Sequence, residues 1–362
     1  MAIDTAAAPV RAPEPEKLNT FVGKMLGDLG AVASAALVIV GDKLGLYREL
    51  QRGDALTSQE LAARTGTAER YVREWLANQA ASGYLEYDAA SERFSLPPEV
   101  GFMLADEASP LNVTGLFQLL QSMIVDEPAI TERFRTGDGF GWHEHDARLF
   151  EGCERFFRPG YNANLIDSWL PALRGVEQKL RAGATVADVG CGLGASAILM
   201  AQAYPNSHFY GFDYHRHSIE VARERARAAG VGERIVFEVG TAKELPEAGY
   251  DLVAFFDCLH DMGDPVGAAA SVRKALAADG TWLVVEPFAH DKLEQNLTPV
   301  GRIYYACSTM LCTPASLSQE VGLALGAQAG EARIGNIVRE AGFTRFRRAT
   351  ETPFNIVYEV KP

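Results

Sequence analysis

The sequence has no excess of basic residues, no paired cysteines and no long apolar run, and each absence excludes something. Lys and Arg number 34 against 47 Asp and Glu, for a net charge of −13 and a pI of about 5.1. Nucleic-acid binding depends on neutralising phosphates, so this balance argues against it. Arg70 and Arg73 leave a local basic patch open. Five cysteines occur without a C-x-x-C pair, an odd count at irregular spacing that suits a reduced, cytoplasmic protein. Residues 1–16 are rich in Ala and Pro and carry acids, with no basic stretch leading into an apolar core. They read as a disordered tail rather than a signal peptide. The longest apolar stretch, Ala31 to Val40, is about half of a membrane span. It predicts a buried helix and no membrane partner.

Two nucleotide-binding loops are also missing. There is no Gly-Lys-Ser/Thr to hold a triphosphate. A Gly-x-Gly-x-x-Gly dinucleotide loop is not there either, because the third glycine comes one residue early. What is present is Asp188-Val189-Gly190-Cys191-Gly192-Leu193-Gly194, after an apolar run and before an alanine-rich helix from Ala195 to Ala203. Glycines let a backbone turn tightly and approach a ligand that a Cβ would block. Phe209 to Asp213 reads as the next strand, ending in an acid 25 residues after Asp188. A carboxylate there can accept both hydroxyls of an adenosine ribose.

The chain length suggests two domains, and a hydrophobic content of 48% is enough for full cores. The boundaries fall at a tail (1–16), a helical domain (17–110), an aromatic-rich linker (111–180) and an α/β domain (181–362). Leu26, Leu29, Val32, Ala35, Ala36, Ile39 and Val40 form one apolar stripe at helical spacing. Such a stripe can seek a partner helix, which suggests a homodimer. Thr57 and Glu60 have the spacing of a capping box. A second helix over 68–82 and a ribbon over 83–96 complete a winged-helix pattern. It serves either DNA binding through the second helix or dimerisation and covering of a substrate. The acidic balance favours the latter.

Strands are expected at 185–190, 208–213, 235–240, 250–258 and 281–286, with helices between them, which predicts a parallel doubly wound sheet. A helix at 331–341 precedes a closing pair at 345–350 and 354–360. The fourth of these strands ends in Asp257-Cys258-Leu259-His260-Asp261, on the side of the sheet where ligands bind. A histidine titrates near neutrality and can take a proton, with Asp261 or another acid orienting it. Thr281 to Glu286 ends the following strand in a carboxylate. Glu286 is either a partner of His260 or a bare strand-end acid. His143/His145 and His215/His217 have i, i+2 spacing but fall in expected loops or helix starts, so no metal site is expected. Cys307, with no matched base, reads as core.

The spacing Asp-x-Gly-x-Gly-x-Gly resembles motif I of the class I S-adenosylmethionine (SAM) methyltransferases. The His260 region resembles the His-Asp-Trp segment of winged-helix O-methyltransferases such as the plant caffeate enzymes. Phe156 to Asn162, Gly211 to His215 and Ser316 to Gly322 resemble an actinobacterial group of winged-helix SAM methyltransferases. The resemblance implies a Rossmann-like sheet with a C-terminal antiparallel hairpin, behind a mainly α winged-helix domain. It implies SAM as cofactor and a small-molecule acceptor. His260 matches the catalytic base and Glu286 its helper, with Asp261 beside them. Contacts to SAM are expected from Asp188, Gly190, Cys191, Gly192, Gly194, Asp213, Tyr214, Gly240, Thr241, Asp257 and Cys258. An acceptor pocket is expected from Trp142, His143, Phe157, Tyr161 and Tyr304. The family's lysine four residues before the histidine is Phe256 here. The implied reaction is O-methyl transfer to a small, largely apolar hydroxylated acceptor. Transfer to nitrogen or carbon, and a SAM-binding regulator, are the alternatives.

Overall fold

The computed structural model describes residues 12–362. Most of the expected tail, residues 1–11, lies outside them, and its last residues belong to a helix. The chain divides into two units, the first ending at Asp106 and the second beginning at Glu107.

The first unit opens with α1 (Pro15–Lys43), whose proline sits at the first helical turn where no N–H is needed. Then come α2 (Ser58–Thr65) and α3 (Glu69–Ala81). The Thr57 side chain accepts from the Glu60 N–H and the Glu60 side chain accepts from the Thr57 N–H, which closes the capping box. Gly66 ends α2 in the left-handed conformation. Trp75 anchors α3 on α1 by donating its indole N–H to the Leu37 carbonyl at 2.9 Å. The strands β1 (Glu86–Asp88) and β2 (Arg93–Ser95) make an antiparallel wing.

Helix α1 departs from the expectation of a buried helix. Only a short arc near its C-terminus is covered. Leu26, Leu29 and Val32 are 65%, 59% and 63% exposed. The periodicity is helical, but the unit offers too little facing surface to cover a helix of 29 residues. By length and composition, though no more than that, α1 is apolar enough to cross a membrane.

In the second unit, α4 (Thr114–Thr136) and α5 (Arg148–Asn164) pack on one another. An alternating run follows: β3 (Thr185–Val189), α6 (Ala195–Ala203), β4 (His208–Asp213), α7 (Arg216–Ala228), β5 (Ile235–Val239), β6 (Tyr250–Phe256), α8 (Pro265–Ala275) and β7 (Leu276–Pro287). After α9 (Pro299–Cys307) and α10 (Glu331–Glu340), β8 (Arg345–Glu351) and β9 (Asn355–Lys361) close the chain. The seven strands lie in the order β5-β4-β3-β6-β7-β9-β8. The first five positions are mutually parallel, and β9 pairs antiparallel with both β7 and β8. This is the doubly wound sheet with an antiparallel hairpin. Ala187, Val253, Ala254, Phe255 and Val284 have no exposed surface, as strands covered on both faces require.

The chain runs from β3 outward to β5, then returns to place β6 on the other side of β3. The order reverses between these two neighbours. The crevice beyond their carboxyl ends is where open α/β sheets bind ligands. Residues 190–194 and 257–261 are the two loops that leave it.

Candidate active site

The glycine loop is tied to the end of β4. Gly190 and Cys191 donate their backbone N–H groups to the Phe212 carbonyl at 2.8 and 3.1 Å, and Gly192 donates to Asp213 Oδ2 at 2.9 Å. Gly190 has φ +73, and a Cβ there would stand 2.9 Å from the Cys258 sulfur. Only glycine fits, because the loop presses against the segment leaving β6. Cys258 in turn donates its thiol to the Val189 carbonyl at 3.2 Å. Gly192 also has a positive φ, and nothing lies within 4 Å of where its Cβ would be. The loop therefore leaves an open bed.

Two acids flank that bed. Asp213 caps β4, and its other oxygen accepts from the His215 N–H at 2.8 Å. Burial raises its pKa against the pull of those two backbone donors. Asp188 is buried behind the loop. Ser196 donates to its Oδ2 at 2.5 Å, while Oδ1 is buried without a partner. Burial pushes the Asp188 carboxyl up to about 7, opposed by the Ser196 bond. A donor with a ribose diol, an ammonium and a sulfonium fits this set. It offers hydroxyls to Asp213 and positive charge to buried acids. Gly240, whose N–H donates to the Asp213 carbonyl at 3.1 Å, and Thr241 stand beside the same strand end. Tyr214 is 44% exposed next to it.

Beyond β6 the chain makes a tight turn. The strand was expected to reach residue 258 but ends at Phe256, because Asp257 takes φ +51. The Asp257 N–H still bonds to the Val285 carbonyl at 2.8 Å. The turn drops His260 beside the end of β7. His260 and Glu286 are 3% and 4% exposed, and His260 Nδ1 lies 2.6 Å from Glu286 Oε2. A carboxylate only accepts, so Nδ1 carries the hydrogen. Glu286 Oε1 accepts from the Leu259 N–H at 3.2 Å, which locks the pair. On the other side of the ring, Nε2 is 3.2 Å from Asp261 Oδ1, without the alignment of a hydrogen bond. Burial alone would push the His260 pKa down. Glu286 and Asp261 outweigh it and hold the imidazole well above its usual value.

His260 and Asp261 face an apolar cavity of about 70 Å³ in the second unit, together with Asp257. Trp142, Phe157 and Tyr304 are in its wall, as the sequence suggested. Two other expected wall residues are placed elsewhere. His143 is exposed, because the short helical turn at 142–144 points it outward. Tyr161 packs against Phe256 at 5.3 Å between ring centroids, within the core cluster. Phe256 also stacks on Trp169. An aromatic in place of the family's lysine thus has an apolar nest. Asp257, expected at the cofactor, also lines the cavity. Cys153, Cys307 and Cys312 line it too; Cys312 belongs to a core cluster and Cys153 and Cys307 pack against it, as expected of Cys307. Sequence spacing carried no signal for Cys153 or Cys312.

The remaining histidines lie outside this cavity. His145 pairs with Asp126 at 2.8 Å. His215 caps α7 and stacks on Phe150. Among the described residues, one set of three potential ligands converges: His260, Asp261 and Cys312, with their ligand atoms within 4.8 Å of one another.

Residues 180–342 match the family model of a methyltransferase domain, and residues 32–106 match that of an Rv2258c-like winged helix-turn-helix domain. A 27-O-demethylrifamycin SV methyltransferase of Amycolatopsis mediterranei is 35% identical over 131 residues, covering 34% of this chain and 48% of the relative. A norajmaline N-methyltransferase of Rauvolfia serpentina is 27% identical over 158 residues, covering 40% of this chain and 52% of the relative. The chain spans about half the length of these curated relatives. Human N-acetylserotonin methyltransferase in complex with SAM superposes with a TM-score of 0.66 at 16% identity, covering 98% of this chain and 99% of that one. The chain carries a methyltransferase domain preceded by a winged helix-turn-helix domain, and its fold is that of the class I methyltransferases.

Proposed function

We propose that the chain transfers a methyl group from SAM to the hydroxyl of a small, largely apolar acceptor, with His260 as general base. The observation that carries this is the His260–Glu286 pair, 2.6 Å apart, with His260 on the wall of an apolar cavity beyond the carboxyl ends of β6 and β7. SAM supplies an electrophilic methyl on a sulfonium. The protein must align the acceptor oxygen and take its proton. Alignment can supply most of the acceleration. A phenol with a pKa near 10 is mostly protonated at neutral pH, so a positioned base contributes a further factor of about 10²–10⁴. Glu286 holds Nδ1–H, which turns the Nε2 lone pair toward Asp261 and the cavity. As the proton arrives, Glu286 and Asp261 stabilise the imidazolium. Asp213, Asp188 and the backbone of Gly190 to Gly194 would hold the donor, with Cys191 in the loop and Cys258 beneath it.

Transfer to nitrogen is the second reading, and the norajmaline relative, named for N-methylation, favours it. A winged-helix regulator has less support. Arg70 and Arg73 on α3 are each paired within their own helix, with Glu74 at 2.5 Å and Glu69 at 2.8 Å, which leaves little charge for phosphates. The exposed stripe of α1 supports a homodimer, since apolar surface on this scale is ordinarily covered.

The test is a methyl-transfer screen of phenols, catechols, quinolones and amines with mass-spectrometric readout. A methylated hydroxyl supports the proposal. Turnover of amines alone would replace it with the second reading, and no turnover of any class would contradict both.

A further inference from the structure

The cavity beside His260 is lined by acidic groups and a single imidazole. Its ionisable wall groups are Asp257, Asp261, His260, Tyr304 and three thiols, and no Lys or Arg is among the lining residues. The one imidazole is already answered twice, by Glu286 on Nδ1 and by Asp261 near Nε2. Asp257 has no such counterpart. Asn355 donates to its Oδ1 at 2.9 Å, and Oδ2 is buried with no partner. Tyr304, which brings a hydroxyl to the wall, donates its hydrogen to the Phe354 carbonyl at 2.8 Å. The Asp257 side chain is also fixed in place, because its backbone N–H is held by Val285 and Oδ1 by Asn355. A buried carboxylate oxygen without a donor is costly. A ligand that brings a donor removes that cost, and one that brings a second carboxylate adds to it.

We propose that Asp257 is the recognition point for a protonated amine on the acceptor, and that the cavity rejects acceptors bearing a carboxylate. This rests on the reading that the acceptor occupies the cavity with its hydroxyl toward His260. The amine paired with Asp257 is a handle. In its protonated form it has no lone pair to be methylated. A charge-assisted hydrogen bond at a desolvated carboxylate favours the amine by about tenfold or more over an uncharged group of the same size.

Calorimetry tests this without turnover. The full chain, saturated with S-adenosylhomocysteine, is titrated with tyramine, para-ethylphenol and para-hydroxyphenylpropionate. These share one phenol ring and differ in the charge at its far end. The expected order is tyramine tightest, the neutral phenol weaker by about tenfold, and the carboxylate weaker again. Asp257→Asn should bring tyramine to within about threefold of para-ethylphenol. The order in the wild-type protein is informative even if the variant fails to fold. Carboxylate binding equal to or tighter than tyramine overturns the proposal, as does tyramine failing to bind at millimolar concentration. So does a folded Asp257→Asn variant with an unchanged preference. If tyramine binds in the expected order but its hydroxyl is not methylated, the recognition role stands and the O-methyl reading fails.

Discussion

His260 Nδ1 lies 2.6 Å from Glu286 Oε2, although the two residues are 26 positions apart in the chain. His260 lies in the turn that follows β6 and Glu286 near the end of β7, the two strands are parallel neighbours in the sheet, and both residues are almost fully buried. The pair therefore sets the protonation state of the site. Glu286 and Asp261 favour the imidazolium more than burial disfavours it, which raises the His260 pKa well above its ordinary value. The neutral imidazole must form before it can accept a proton. The rising limb of kcat/KM with pH should thus lie above the ordinary histidine value near 6.5.

Glu286→Gln should move that limb. Glutamine keeps an acceptor for Nδ1–H but removes the charge that stabilises the imidazolium. The limb should shift toward lower pH, and activity should fall less than on loss of the histidine itself. A pH–rate profile from the variant checks this. A limb that stays in place, or moves to higher pH, would show that Glu286 does not govern His260.

Asp213→Ala should weaken SAM binding by at least about tenfold, because two charge-assisted hydrogen bonds of roughly 1.5–3 kcal/mol each are lost. The carboxylate also accepts from Gly192 and His215, so alanine unties the loop as well. Asp213→Asn separates the two effects, since it keeps the shape and much of the loop bonding. Calorimetry of both variants is the check. Unchanged affinity in a folded alanine variant would remove Asp213 from the site.

Asp188 makes a stability prediction. Burial raises its carboxyl from 3.8 to about 7 in the fold. Across that window the folded chain holds a proton that the unfolded chain releases, so this group makes the chain less stable as pH rises. A neutral isostere removes the dependence. Asp188→Asn should melt at a higher temperature than the wild type at pH 8 without SAM, by an amount worth up to about 4 kcal/mol. Its pH–stability curve should be flatter between about 4 and 7. Melting curves over that range decide the matter. A variant less stable than the wild type at pH 8 would show that the Asp188 charge is compensated.

The exposed stripe of α1 predicts a dimer at micromolar concentration. Leu26→Glu with Leu29→Glu, both on exposed positions, should give a folded monomer by light scattering. A wild-type monomer would contradict the dimer, and binding of the wild-type chain to phospholipid vesicles would assign the stripe to a membrane instead.

Much of the frame was legible because it is local. Alternating apolar runs placed β3 to β7 within a few residues, and the Thr57–Glu60 spacing marked the start of α2. The meeting of His260 and Glu286 follows from topology, since one follows β6, the other ends β7, and the two strands are neighbours. What stayed hidden depends on packing between distant segments. Asn355 reaches Asp257 across 98 positions, and nothing in either segment announces it. The sulfur atoms in the cavity wall come from three turns of helix with no shared motif. The exposure of α1 was misjudged because an apolar stripe records that a face is to be covered, and says nothing of whether the cover lies in the same chain.

The most direct test of the central claim is single-turnover methyl transfer to a weakly acidic phenol by the wild type and by His260→Ala, with SAM affinity measured in parallel. The account predicts a loss of about 10²–10⁴ in rate with SAM affinity within a few-fold of the wild type. A more acidic phenol, already ionised at neutral pH, should be largely spared. Near-full activity of the variant on the weakly acidic phenol would contradict the account and leave positioning, or another base, to carry the reaction.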